Sequence, residues 1–404
     1  MKKLVHVLVI SAVVISIFVA TSAGNLTSEE AISRRRSREE SLCNQLIEPA
    51  GYPCNEYTIQ TQDGYLLALQ RVSSRDGNLR LQRGPPVLLL HGLFMSGDAW
   101  FLDTPEQSLG FILADERFDV WVGNVRGTFW SHGHTYLSEK DKEFWDWSWQ
   151  ELAICDMAEM VHHVYLTTNS KVLIVGHSQG TIMSLAALTQ PDIAEKVEAA
   201  ALLSPISYLG HITASLVLKM VSMHLDQVIL AMGIHQLNFR SEILVNLLDT
   251  MCDGRKCNDL LTSITGKNCC FNNSRVEAYL EYEPHPSSAK NLHHLFQMIR
   301  KGTFSQYDFG VIKNLMVYGQ VKPPAFNLNL IPKTLPLWMC FGGHDALADV
   351  TDVHHTVSEL QSKPELLYLE NYGHIDFLLS VHGKEDVFNP MIEFFRSLGK
   401  SSSS

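Results

Sequence analysis

Val172-Leu173-Ile174-Val175-Gly176-His177-Ser178-Gln179-Gly180-Thr181-Ile182-Met183-Ser184-Leu185 changes character at its midpoint. The first four residues are apolar and mostly β-branched, which suits a buried strand. From Ile182 onward the apolar positions recur at Leu185, Ala186 and Leu188, a helical spacing. Between them lies G-x-S-x-G, so the stretch reads as strand, tight turn, helix, the geometry of a nucleophile elbow. Side chains at the flanks of so sharp a turn would collide, and Gly176 and Gly180 remove them. Ser178 then occupies the apex in a strained conformation with its hydroxyl outward. The helix that begins there offers unpaired N–H groups to a developing negative charge. A chain of this length carries G-x-S-x-G by chance about one time in ten, so the flanking strand and helix give the motif its weight.

Further apolar runs suited to buried strands lie at 86–90, 118–122, 199–203, 335–341 and 366–369. Helical patterns at 100–117, 149–166 and 389–397 accompany them, and 56–72 reads as a hairpin turning at Gln62-Asp63-Gly64. Residues 128–147 form an aromatic loop. Buried strands alternating with helices imply an α/β fold, a mostly parallel sheet covered on both faces. The alternation stops between Ser207 and about Pro332. The expected organisation is a core at 43–206 and 333–398 interrupted by a helical cap at 207–332, with a disordered tail at 399–404.

A serine hydroxyl needs a base to take its proton and an acid to hold that base. In this architecture they follow in the order Ser, Asp or Glu, His, each at the carboxyl end of a strand. Asp345 directly follows the run at 335–341, and His374 follows the run at 366–369. Asp349 and Asp352 lie further on, where they suit helix capping, while His354, His355 and His382 fall in helical stretches. The expected triad is Ser178, Asp345 and His374. An oxyanion hole needs two backbone N–H donors. Gln179 supplies one as the residue after the nucleophile, and Leu93, in the loop His91-Gly92-Leu93, supplies the other. No motif for a nucleotide or metal cofactor is found, and the doublets His162-His163, His293-His294 and His354-His355 point about 100° apart on a helix. The expectation is a site with no cofactor and no metal.

The net charge of −11 and 46% hydrophobic content describe a globular chain with no basic surface for nucleic acid. Lys2 and Lys3, an apolar stretch at 4–20 and Thr21-Ser22-Ala23 read as a signal peptide over 1–23, too short for a membrane anchor. The mature chain is then expected to lack a transmembrane span. Arginine-rich 24–42 is a linker or a cleaved pro-segment. Export favours disulfides among the eight cysteines: Cys43 with Cys54, and one or two bridges among Cys252, Cys257, Cys269 and Cys270. Cys155 and Cys340 read as buried thiols. Sequons mark Asn272 and, more weakly, Asn25 for glycosylation. Residues 212–232 pattern as one helix with a narrow polar stripe of Ser215, Lys219, Ser222 and Asp226. That is either an ordinary buried helix or a lid whose apolar face meets lipid.

Several segments together resemble the acid lipase family, which includes gastric and lysosomal acid lipases and plant triacylglycerol lipases. They are His91-Gly92-Leu93, Gly123-Asn124-Val125-Arg126-Gly127, Gly176 to Gly180, Gly342-Gly343-His344-Asp345-Ala346-Leu347-Ala348-Asp349, Gly373-His374-Ile375-Asp376-Phe377 and Gly302-Thr303-Phe304-Ser305-Gln306-Tyr307-Asp308-Phe309-Gly310. The resemblance implies an α/β-hydrolase fold with a helical cap and lid. It implies hydrolysis of triacylglycerols or sterol esters at an oil–water interface, outside the cell or in lysosome or vacuole. The triad it implies coincides with the one read from strand ends. A soluble carboxylesterase or thioesterase, and a silent lipid-binding protein on the same fold, are the competing readings.

Overall fold

The computed structural model describes residues 41–239, 261–270, 272 and 275–401. The segments 1–23 and 24–40, Asn25, Cys252, Cys257 and the last three serines lie outside the described residues.

The hairpin is β1 (Cys54–Gln60) and β2 (Tyr65–Val72). It is followed by β3 (Pro86–Leu90), β4 (Asp119–Gly123) and a short β5 (Gly133–His134) within the aromatic loop. The elbow strand is β6 (Val172–His177), and β7 (Val197–Leu203) follows it. A two-stranded sheet of β8 (Gln236–Leu237) and β9 (Ser287–Ser288) belongs to the insertion. The chain returns to the main sheet as β10 (Leu337–Gly342) and β11 (Glu365–Leu369). The main sheet runs β1-β2-β4-β3-β6-β7-β10-β11, with β5 paired to β2. From β4 to β11 every pairing is parallel. This is the α/β-hydrolase arrangement expected from the sequence.

Alternation along these strands builds two cores. Leu88, Leu90, Ile174, Ala200, Leu202 and Met339 pack on one face. Val87, Leu89, Leu173, Val175, Ala201, Leu203, Trp338 and Cys340 pack on the other. A sheet buried on both faces explains why its strands read as unbroken apolar runs. Helices α1 (Leu109–Asp115), α2 (Ala158–Thr168) and α3 (Gln179–Ala187) cover it early in the chain.

The pattern at 100–117 overstates the helix: Gly97–Trp100 is a 3-10 turn, and helix begins only at Leu109. The pattern at 212–232 is two helices, α4 (Ser215–Ser222) and α5 (Leu225–Ala231), broken where His224 takes a left-handed conformation. Asp226, read as part of the polar stripe, is buried and ion-paired to Arg300. Its carboxyl therefore belongs to packing within the insertion, not to solvent. The insertion continues with α6 (Ala289–Lys301) and α7 (Val311–Tyr318). After β10 comes α8 (Val350–Glu359), which Asp349 caps by accepting the Thr351 N–H. The last helix, α9 (Asn389–Ser401), runs three residues past the expected tail boundary. Cys43 pairs with Cys54 and Cys269 with its neighbour Cys270, leaving Cys155 half-buried and Cys340 buried. No described helix is long and apolar enough to cross a membrane.

Candidate active site

Strand register brings the site together. Leu90 lies opposite Gly176, His177 opposite Leu203, Leu203 opposite Cys340, and Gly342 opposite Leu369. The carboxyl ends of β3, β6, β7, β10 and β11 therefore share one edge of the sheet. The loops carrying Leu93, Ser178, Asp345 and His374 all leave from that edge.

The elbow has the backbone its sequence requires. Ser178 holds φ 53° and ψ −117°, a conformation costly for a non-glycine residue. A Cβ on Gly176 would lie 2.7 Å from the Gly180 carbonyl oxygen, and one on Gly180 would lie 2.2 Å from that of Leu90. Strand and helix approach too closely at both points for any side chain.

His374 Nε2 lies 2.7 Å from Ser178 Oγ, and its Nδ1 lies 2.9 and 3.0 Å from the two oxygens of Asp345. All three side chains are buried. Burial alone would raise the Asp345 pKa, but the adjacent imidazole and the Ala348 and Leu347 N–H groups outweigh it and hold the carboxyl below its usual range. An ionised Asp345 fixes the proton on Nδ1, which leaves Nε2 to accept the serine hydroxyl. His177 and His91 stand close by but are neutral. Burial, reinforced by the proximity of His374, lowers His177 to about 3, and burial lowers His91 to about 4. His177 Nε2 donates to the His374 carbonyl at 3.0 Å, and His91 Nε2 accepts the Val125 N–H.

The loop at Leu93 is pressed against Ser178: a Cβ on Gly92 would lie 3.2 Å from Ser178 Cβ. Among the described residues, neither the Leu93 nor the Gln179 N–H donates to a protein acceptor. Two donors beside Ser178, on buried Gln179 and half-buried Leu93, spent on nothing else, suit a developing oxyanion.

Three supports were not singled out from the sequence. Buried Asp376 accepts the N–H groups of Cys269, Cys270 and Gly373, tying the vicinal disulfide to the turn that carries His374. Buried Asn291, from α6 of the insertion, donates to the Gln179 side chain at 2.8 Å. Asp98 accepts from Trp130 Nε1 and His285 Nε2, each at 2.8 Å, while the His285 N–H donates to the Phe94 carbonyl. The last group grips the chain just after Leu93 from the side of the insertion. Each joins residues more than a hundred positions apart, so none leaves a local pattern; only Asp376 had a signal, as part of a matched motif. Asp98, Glu283 and His285 are also the one group among the described residues whose donor atoms lie close enough for a metal ion. His285 Nδ1 already accepts the Phe129 N–H and Nε2 already bonds Asp98, so the ring serves as a strut. Asn272, at the expected glycosylation site, is half-buried.

A family model described as the alpha/beta hydrolase fold matches residues 85–380, and one described as a partial alpha/beta-hydrolase lipase region matches 43–104. Triacylglycerol lipase 1 of Arabidopsis thaliana is 66% identical over 364 residues, covering 90% of this chain and 92% of that protein. The gastric triacylglycerol lipase of Homo sapiens is 34% identical over 367 residues, covering 86% and 89%. Among solved structures, a soluble variant of monoglyceride lipase from Saccharomyces cerevisiae aligns with a TM-score of 0.57 at 14% identity, covering 84% of this chain and 94% of that one. That last likeness speaks to the fold, whereas the first two extend through both halves of the core and the insertion between them: the chain belongs to the acid lipase family of α/β hydrolases.

Proposed function

We propose that the protein is a triacylglycerol lipase that works through an acyl-enzyme. The observation that carries this is the continuous chain from Ser178 hydroxyl through His374 to ionised Asp345, in a relative two-thirds identical to a plant triacylglycerol lipase. Ser178 Oγ attacks the ester carbonyl carbon while His374 Nε2 takes its proton. The carbonyl π electrons move to oxygen, which the Leu93 and Gln179 N–H groups stabilise. Collapse expels the glyceride alcohol, protonated by His374. Water then attacks the acyl-enzyme by the same route, releasing fatty acid and restoring the serine.

Residues 207–332 serve as the cap in this reading. Support comes from the burial of Ser178, 8% exposed, which suits a site covered by the insertion. Support also comes from the contacts of Asn291 and His285, which tie that segment to both halves of the oxyanion hole. A signal peptide at 1–23, removed after export, directs the chain out of the cell or to lysosome or vacuole, with Asn272 as a glycan acceptor.

The test is turnover of emulsified long-chain triacylglycerol, a sterol ester and a short soluble ester across pH, together with labelling by a fluorophosphonate. Labelling lost in Ser178→Ala, with long-chain triacylglycerol hydrolysed by the parent, is the expected result. A parent enzyme that turns over only the soluble ester defeats the lipase assignment; an unlabelled parent defeats the mechanism.

A further inference from the structure

Helix α7 is built inside out. A cap helix ordinarily buries its apolar side. Here the residue that faces inward is Asn314, 1% exposed. Its amide donates to Asp308 Oδ1 and the Val321 carbonyl, and its Oδ1 accepts the Phe309 N–H. Tyr318 ties the helix end to the Tyr307 carbonyl. The apolar residues point away from the molecule: Ile312 is 78% and Met316 80% exposed, and Val311, Leu315, Val317 and the following Val321 are exposed as well. Positions 311, 312, 315 and 316 form one stripe on a helix. Polar anchoring from within, and an apolar stripe held outward in a fixed orientation, are the reverse of what folding alone would select.

We propose that α7 is the element by which the protein adsorbs to the phospholipid-coated surface of an oil droplet. Three observations favour that occupant. From Phe309 to Pro323 the chain has Lys313 and Lys322 and no acidic residue, in a protein of net charge −11. Exposed apolar side chains flanked by lysines match a lipid surface with some anionic headgroups. An eight-residue helix is only about 12 Å long, far too small for the ~800 Å² per partner of a stable protein pair; two facing copies would also oppose their lysines. Finally, α7 follows directly on α6, whose Asn291 contacts Gln179 beside the nucleophile, so adsorption there brings the cap side of the site to the lipid.

The inference rests on the lipase reading, and the experiment separates the two. The full mature chain carrying Ser178→Ala, which cannot turn over, is floated with triolein emulsion coated with phosphatidylcholine and phosphatidylglycerol. Ile312→Glu with Met316→Glu is expected to lower the bound fraction at least about tenfold. In the active background the same pair leaves kcat/KM on a short soluble ester unchanged, which also certifies folding. Ile312→Trp is expected to show a blue-shifted emission on adding the emulsion. Flotation unaffected by the two glutamates, or an indole that stays in water, overturns the proposal. So does a dimer in solution that the glutamates dissociate without changing flotation. Failure of the parent to hydrolyse triolein defeats the lipase reading and leaves the adsorption result standing.

Discussion

Gly180→Ala tests whether the helix behind the nucleophile is seated on the strand that carries the oxyanion loop. The added methyl would lie 2.2 Å from the Leu90 carbonyl oxygen, 2.8 Å from its carbon and 3.1 Å from the His91 carbonyl oxygen. A carbon–oxygen contact needs about 3.3 Å, so the end of β3 and α3 must separate by about 1 Å. All the atoms in the way are backbone, and no side chain can swing aside. The displaced segment leads directly to Leu93, so the hole moves relative to Ser178 by a comparable distance. A misplacement of this size costs about a hundredfold in rate, equivalent to about 2.7 kcal/mol in the barrier. Overpacking adds about 1–3 kcal/mol of lost stability. The assay is kcat/KM on a short soluble ester, normalised to sites titrated with fluorophosphonate, alongside urea unfolding. Gly210→Ala is the control, since its nearest neighbour is the Gly302 Cα at 3.5 Å. A Gly180→Ala enzyme within twofold of the parent, and equally stable, refutes the account of how the elbow is built.

Asp345→Asn lowers kcat on the soluble ester about 10⁴-fold by stranding the imidazole in the wrong tautomer. Because the native carboxyl is held below its usual range, its stabilising effect is complete above about pH 4 and is lost as pH falls through the native value. Unfolding curves of parent and Asp345→Asn should therefore converge in stronger acid. His294, buried and stacked on Trp149, is lowered by burial to about 3, so it favours folding above about pH 6.5 and opposes it increasingly below. In His294→Gln the slope of stability against pH between about 6 and 4 should be shallower by about 1.4 kcal/mol per pH unit; an unchanged slope excludes a neutral native His294. His285→Ala takes the imidazole away from buried Asp98 and should cost about 3–5 kcal/mol in urea unfolding. Adding Asp98→Asn should recover part of that loss, and no recovery would show that the strut is not electrostatic.

The sheet edge that gathers Ser178, Asp345 and His374 was legible because it is written in local patterns. β6 and the elbow need a β-branched run, two glycines and a helical repeat, all within 20 residues. Asp345 and His374 announce themselves by following directly on apolar runs. Boundaries were less accurate where turns compete with helix: 101–108 has helical composition, yet only Leu109–Asp115 becomes α-helix. The lid pattern at 212–232 missed its break because His224, with no glycine to flag it, adopts the left-handed conformation. Asp226 looked solvated because its partners, His293 and Arg300, lie over 60 residues later. Still larger separations hide the His285 strut and the Asn291 contact. The exposed stripe of α7 was invisible for a different reason: periodicity identifies an apolar face but not which way it points.

Ser178 comes from before the insertion, whereas Asp345 and His374 come from after it. On the proposed mechanism, synthesis therefore delivers the hydroxyl early and its base late. A chain that stops anywhere before His374 has, on that mechanism, the serine but no base for it. Only a nearly finished chain then holds all three groups of the proposed triad.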